Sequence, residues 1–221
     1  MLFNLQHIEG FGDLMSRMRT VEPEAAIADL QIGKILYMLN IPFRFVTPQQ
    51  KLGDDYDMEI TYPDGVVVCA ETKCRIEKTV LGPSTIRNAL RKARGQLPPN
   101  RPGIIFVKCP QQWFEDGKRE TTQRQLLADV SKFFGRANES PRNQRIVSVK
   151  FYAEVLTYSD GVVENTIERI ETSHHRNKFY PNRDWDFPLY QSPPGEFFEM
   201  PLEWVRLINF PSELRHHAED K

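Results

Sequence analysis

The chain has 221 residues, 40% hydrophobic and 27% charged, with a formal net charge of −1. That length suits one domain with additions or at most two small ones, and the composition is ordinary for a globular protein. A near-zero net charge excludes binding of polyanions by bulk charge alone, so any such binding must come from a local patch. No apolar run approaches the ~20 residues of a membrane span. The opening MLFNLQHIEGFGD lacks a basic segment followed by an apolar core, which reads as no signal peptide. Cys69, Cys74 and Cys109 have no metal-ligand spacing, and the cytoplasm is the expected compartment.

Residues 1–22 read as a helical extension, with Phe11, Leu14, Met15 and Met18 near one face and no visible chemistry. A stronger helix is expected over 24–39. Pro23 suits its first turn, and Ala25, Ala28, Ile32, Ile35, Leu36 and Leu39 recur at spacings of three and four. Asp29 lies along the edge of that stripe. Phe43 to Val46 reads as a first strand, and the loop 47–55 is acidic at Asp54 and Asp55, which read as solvated.

Residues 56–75 carry the chemistry. Asp57 to Tyr62 alternates polar and apolar, Pro63-Asp64-Gly65 is turn chemistry, and Val66 to Ala70 is an apolar run ending in Glu71-Thr72-Lys73. A three-residue loop sets Tyr62 against Val66 and Asp57 against Glu71. Opposed side chains of an antiparallel pair share a face, roughly 4.5–5.5 Å apart, and Lys73 follows on that face. Two nearby carboxylates resist joint ionisation unless a cation sits between them. Hard oxygens suit Mg²⁺ (or Mn²⁺), and a lysine alongside can orient a water. That is equipment for phosphodiester hydrolysis. The plainer reading is a solvated hairpin face with a surface salt bridge; a strand apolar on both faces argues against it, since charges ending such a strand need partners. Glu59 shares Asp57's face as a spare ligand or a salt-bridge partner.

An acid followed, on the adjacent strand, by E-x-K resembles the PD-(D/E)xK nuclease superfamily, whose core runs helix, three-stranded meander, helix, strand. The resemblance covers about residues 24–109. It implies a restriction endonuclease-like core and a Mg²⁺-dependent endonuclease. Asp57 matches the first metal-binding acid, Glu71 the second and Lys73 the lysine, with the Thr72 carbonyl as a further metal ligand. Tyr56, not a proline, precedes Asp57; Pro63-Asp64 has the literal dipeptide but sits on the turn. In similar nucleases the first helix often carries a glutamate reaching the metal. Asp29 holds that place, with Glu24 as the alternative and a solvated helix acid as the plainer reading.

Beyond Thr72 the chain turns basic. Up to Lys108 there are nine lysines and arginines against Glu77 alone. A helix over 85–97 has the apolar stripe Ile86, Leu90, Ala93, Leu97 and another face of Arg87, Arg91 and Arg94. With Arg75, these arginines are the expected nucleic-acid contacts, because a polyanion relieves like-charge repulsion. Gln96 is expected near the scissile phosphate, or else is an ordinary helix-end amide. Strand 103–108, helix 121–134, strand 145–156, a turn at Ser159-Asp160-Gly161 and strand 162–171 complete a mixed sheet. The fold class is therefore α/β (α+β), a mixed central sheet flanked by helices. The expected organisation is the 1–22 extension, a 23–172 nuclease domain, and an aromatic, Pro-rich 173–221 tail packed on it, with a short helix near 211–217 and with His174 and His175 on the surface.

These residues lead to a metal-dependent nuclease hydrolysing phosphodiester bonds, with DNA as partner, no membrane, and a homodimer contact as one use of the tail. The alternative is a non-catalytic nucleic-acid-binding or assembly module on the same fold. A third reading is a structural α/β protein whose hairpin charges are ordinary salt bridges.

Overall fold

In a computed structural model of the chain, the central hairpin pairs β2 (Met58–Thr61) with β3 (Val67–Cys74), and Met58 faces Ala70. The turn is the one its residues require. Gly65 takes φ +82 and donates to the Tyr62 carbonyl at 2.8 Å, and Tyr62 donates to Val66 at 2.8 Å. Continued by one residue, this register sets Asp57 against Glu71. The structure describes residues 5–20, 23–47, 51, 53–115, 117–135, 141–159, 162–174, 176–181, 183 and 185, all within one compact unit, Leu2–Phe187. The expected 211–217 helix, His175 and most of the tail lie outside the described residues.

The fold is a mixed α+β one. Six strands lie in the order β1-β2-β3-β4-β5-β6, with β1 Phe43–Phe45, β4 Gly103–Lys108, β5 Ile146–Ser159 and β6 Val162–Ser173. The β1–β2, β2–β3 and β5–β6 pairs are antiparallel; β3–β4 and β4–β5 are parallel. Parallel neighbours need crossover connections. α3 (Thr85–Gln96) and α4 (Arg119–Phe134) supply them, and α1 (Phe11–Thr20) and α2 (Pro23–Met38) precede the sheet. No helix among the described residues is long and apolar enough to cross a membrane.

β4 is the innermost strand in burial, with all but Lys108 buried, as a near-continuous apolar run between parallel neighbours requires. The expected α3 stripe is the one that packs: Ile86, Leu90, Ala93 and Leu97 are all buried against Cys69, Ile105 and Val107. α2 departs from the one-stripe expectation. Ala28, Ile32, Ile35 and Leu36 are buried, and so are Ala26, Asp29, Leu30 and Gly33, because α1 lies on it as well as the sheet. Gly33 permits that approach, since a Cβ there would stand 2.7 Å from the Phe45 ring. Tyr152 pins α2 from the other side, its hydroxyl donating to the Ala28 carbonyl at 3.2 Å. Part of the tail region is built into this unit. Trp185 is buried, Tyr62 donates to its carbonyl at 3.1 Å, and Arg183 lies over its ring. His174 stacks on Phe134 with ring centroids 4.1 Å apart.

Candidate active site

Side chains of a strand alternate between faces. Cys69 belongs to the core under α3, so Glu71 and Lys73 emerge on the α3 side of β3 while Thr72 turns towards α2. β2 has ended at Met58, leaving an open stretch of β3 edge that Asp57 fills. Its backbone N–H donates to Ala70 at 3.0 Å and its carbonyl accepts from Val46 at 2.9 Å. Its carboxylate then accepts the Thr72 N–H at 2.8 Å. Because N–H and C=O of one strand residue leave on the same edge, the Thr72 carbonyl shares this edge with the Asp57 carboxylate.

Glu71 is buried, and its Oε1 accepts from Lys73 Nζ at 2.5 Å. Lys73 also donates to Gln96 Oε1 at 2.5 Å, while the Gln96 amide donates to the Asp55 carbonyl at 3.2 Å. Gln96, expected at the phosphate, thus holds the lysine. Asp29, expected at the edge of an apolar stripe, is buried; Glu24, the alternative, is exposed. The second cation of the site was not visible in the sequence. Arg17 reaches from α1, Nη2 standing 3.3 Å from Asp29 Oδ2 and 3.7 Å from Asp57 Oδ1. Residues 1–22, read as devoid of chemistry, therefore supply a charge to the cluster.

The electrostatics are those of carboxylates short of compensation. Burial pushes the Asp29 and Glu71 carboxyls well above the ordinary range. The neighbouring Asp57 adds to this in both, while Arg17 pulls Asp29 down and Lys73 pulls Glu71 down. Burial raises Asp57 as well, opposed by the Thr72 N–H, Arg17 and Lys73. Glu71 Oε2 is buried with no well-formed hydrogen bond among the described residues, and Asp29 Oδ2 is buried with the Arg17 ion pair beside it.

No family model, curated protein or solved structure matches this chain. The nuclease resemblance rests on the residues and their geometry alone.

The donor set fits a hard divalent cation: a carboxylate on β3, a second just beyond the end of β2, a backbone carbonyl on the same edge, and the buried Glu71 Oε2. Among the described residues no three His, Cys, Asp or Glu side chains form a ready ligand shell. A cation here would keep several waters, as Mg²⁺ usually does.

Glu59 is a salt-bridge partner. Burial alone would raise its pKa, but hydrogen bonds from Arg44 at 2.7 Å, Tyr56 at 2.7 Å and Arg101 at 2.6 Å bring it down to about 2. Asp64, with the literal Pro before it, is exposed at the turn, where Arg183 holds it below the usual carboxylate range. Of the expected nucleic-acid contacts, Arg91 is exposed, Arg75 is half-buried, and Arg94 donates to Asn143 at 2.5 Å. Arg87 is engaged by its own fold, standing 3.8 Å from Asp129 on α4 and donating to the Pro83 carbonyl at 2.8 Å. The stripe is therefore not without acidic partners.

Proposed function

We propose that the chain is a Mg²⁺-dependent (or Mn²⁺-dependent) endonuclease hydrolysing phosphodiester bonds in DNA. The observation that supports this most is the meeting of Asp57, Glu71 and Lys73 at the open edge of β3, with Asp29 buried behind them. Asp57, Glu71 and the Thr72 carbonyl would hold the metal, and Asp29 would add negative charge from α2. The metal, when bound, supplies charge neutralisation at the phosphodiester and lowers the pKa of a bound water.

Lys73 is fixed by two acceptors, Glu71 and Gln96. An ammonium has three N–H donors, so a third remains to orient a water or stabilise a non-bridging phosphate oxygen as charge develops there. As an ammonium it does not take the water's proton. That proton leaves to solvent or a phosphate oxygen as the new P–O bond forms and the old one breaks. Pre-fixing the lysine removes the cost of ordering a long side chain during reaction.

One observation favours the second reading, a nucleic-acid-binding or assembly module without catalysis. Arg17 already stands between Asp29 and Asp57, so those two acids have a cation of the chain's own. Incubation with plasmid and linear DNA in Mg²⁺, Mn²⁺ or chelator separates the readings. The nuclease reading expects nicking or cutting that chelator stops and that Glu71→Gln loses while staying folded. No cleavage in either metal, with a melting temperature indifferent to both, leaves the binding module.

A further inference from the structure

Beside the acid cluster lies a cleft of about 840 Å³ whose lining includes Lys51, Asp54, Arg94, Arg101, Arg142 and Arg145. The volume is in the range of ligand sites, about 300–1,000 Å³, but such sites are mostly apolar. This one sets five cations against the single carboxylate of Asp54. Two of the cations are neutralised within the fold: Arg101 by Glu59 at 2.6 Å, and Lys51 by Asp54 at 3.3 Å. Arg94, Arg142 and Arg145 have no carboxylate partner among the described residues.

These three arginines are held close to one another. Arg145 donates to the Arg94 carbonyl at the C-terminal end of α3, and Arg94 donates to Asn143 in the short 3₁₀ turn Pro141–Asn143. Asn143 is fixed by its bond to the Phe133 carbonyl. Arg142 sits exposed beside this chain of bonds. Arg145 also has a buried Nε with no acceptor. Burial depresses the Arg94 and Arg145 pKa values. Repulsion from Arg142 and Arg91 depresses Arg94 further, and repulsion from Arg94 does the same to Arg145. Like charges gathered in a cleft, with a donor left over, make a site that an anion completes.

The cleft is also next to the chemistry. Arg94 and Gly95 line it, and the following residue, Gln96, holds Lys73. Asp54 lines it too, and its neighbour Asp55 donates its backbone N–H to the Gln96 carbonyl at 3.1 Å. We propose that this cleft seats the DNA backbone flanking the scissile bond, with Arg94, Arg142 and Arg145 contacting consecutive phosphates. This rests on the nuclease reading of the acid cluster. It also moves the grip on DNA from the length of the α3 stripe, where Arg87 is paired with Asp129, to the end of that helix and the segment before β5.

The test is fluorescence anisotropy of a short labelled DNA duplex in chelator, over a series of chloride concentrations. Each phosphate contact contributes about 0.9 to the slope of log affinity against log salt. Arg142→Ala alone should lower the slope by about 1. Arg142→Ala with Arg145→Ala should lower it by about 2 and weaken low-salt binding by roughly tenfold or more. Arg124→Ala, the same charge change on the exposed surface of α4, should leave both unchanged. Arg142 is exposed and makes no side-chain hydrogen bond or ion pair among the described residues, so its effect stands even if Arg145→Ala disturbs the end of α3. Equal slope and affinity in the Arg142 variant and the wild type overturn the proposal, as does a wild type that binds no duplex at low salt. Inorganic phosphate at matched ionic strength should displace no more duplex than chloride does. Displacement by phosphate that the variants lose would assign the cleft to a free phosphate instead. A wild type that binds through these arginines but cuts no DNA in Mg²⁺ or Mn²⁺ removes the nuclease reading and keeps the cleft. Cutting without any effect of the arginines does the reverse.

Discussion

The guanidinium of Arg17 stands 3.3 Å from the buried carboxylate of Asp29. A residue of α1 thereby closes a cluster whose other members come from α2, the Asp57 turn and β3. Breaking a fully buried pair costs roughly 3–5 kcal/mol because the surviving charge is left alone. Arg17 keeps 25% side-chain exposure, so Arg17→Ala should cost about 2 kcal/mol in chelator by urea unfolding. Asp29→Asn in the same chain should recover most of that loss, and a double-mutant cycle measures the coupling. If Arg17 competes with a divalent cation, Arg17→Ala should also show a larger rise in melting temperature on adding Mg²⁺ than the wild type does.

Asp57 and Asp64 lie at opposite ends of the hairpin and have different partners. Asp57 accepts from the Thr72 N–H at 2.8 Å, while Asp64 is engaged by Arg183. On the nuclease reading, Asp57→Asn should reduce cleavage by on the order of 10²–10³ or more with the fold intact. Asp64→Asn should leave cleavage nearly unchanged. Single-turnover rates on one DNA substrate, with circular dichroism of both variants, decide between them.

On the nuclease reading, Gln96 acts through Lys73, to which it is hydrogen-bonded. Gln96→Ala should lower kcat by about tenfold, from a less well-placed ammonium, with little change in duplex affinity measured in chelator. Gln96→Glu, which keeps an acceptor oxygen, should recover part of the rate. A fall in affinity with kcat preserved would mean that Gln96 contacts DNA and does not position the lysine.

Glu59 gives a pH signature. Its folded pKa is about 2, against an ordinary value of 4.5, so its ionised form favours folding. That contribution is fully present above about 4.5 and is lost as pH falls towards 2. Glu59→Gln should therefore be less stable than the wild type at pH 7. The gap should shrink between pH 4.5 and 2, as read from urea midpoints at each pH.

The hairpin was legible because its information is local. Pro63-Asp64-Gly65 reads as a turn, Gly65 takes the positive φ that the turn needs, and with a three-residue loop the register follows to Asp57 and Glu71 by counting; a two-residue loop would have shifted it by one. The α3 stripe was legible for the same reason, at period 3.6. Arg17 was not, because its partners are 12 and 40 residues away in sequence and α1 alone gives no reason to bury a charge. Asp29 looked marginal because one helix has one visible stripe, whereas α2 is covered on two sides. Arg87 looked unpaired for want of Asp129, which lies a helix away. Arg142 and Arg145 fall outside the basic run from Lys73 to Lys108, and only the return of β5 beside β4 brings them to the end of α3.

Strand order in this sheet repeats chain order, and that has a kinetic side. Each strand closes onto the one made just before it, so no strand waits for a distant partner and loop-closure entropy grows slowly at each step. The hairpin can set Asp57 against Glu71 while both are still hydrated. Glu71 loses its water where β4 joins β3 and α3 docks beside Lys73, and Asp29 loses its own between α1, the sheet and Tyr152 of β5. The energetic penalty for gathering three carboxylates is thus spread over the docking of several elements, and forming the hairpin alone requires none of it.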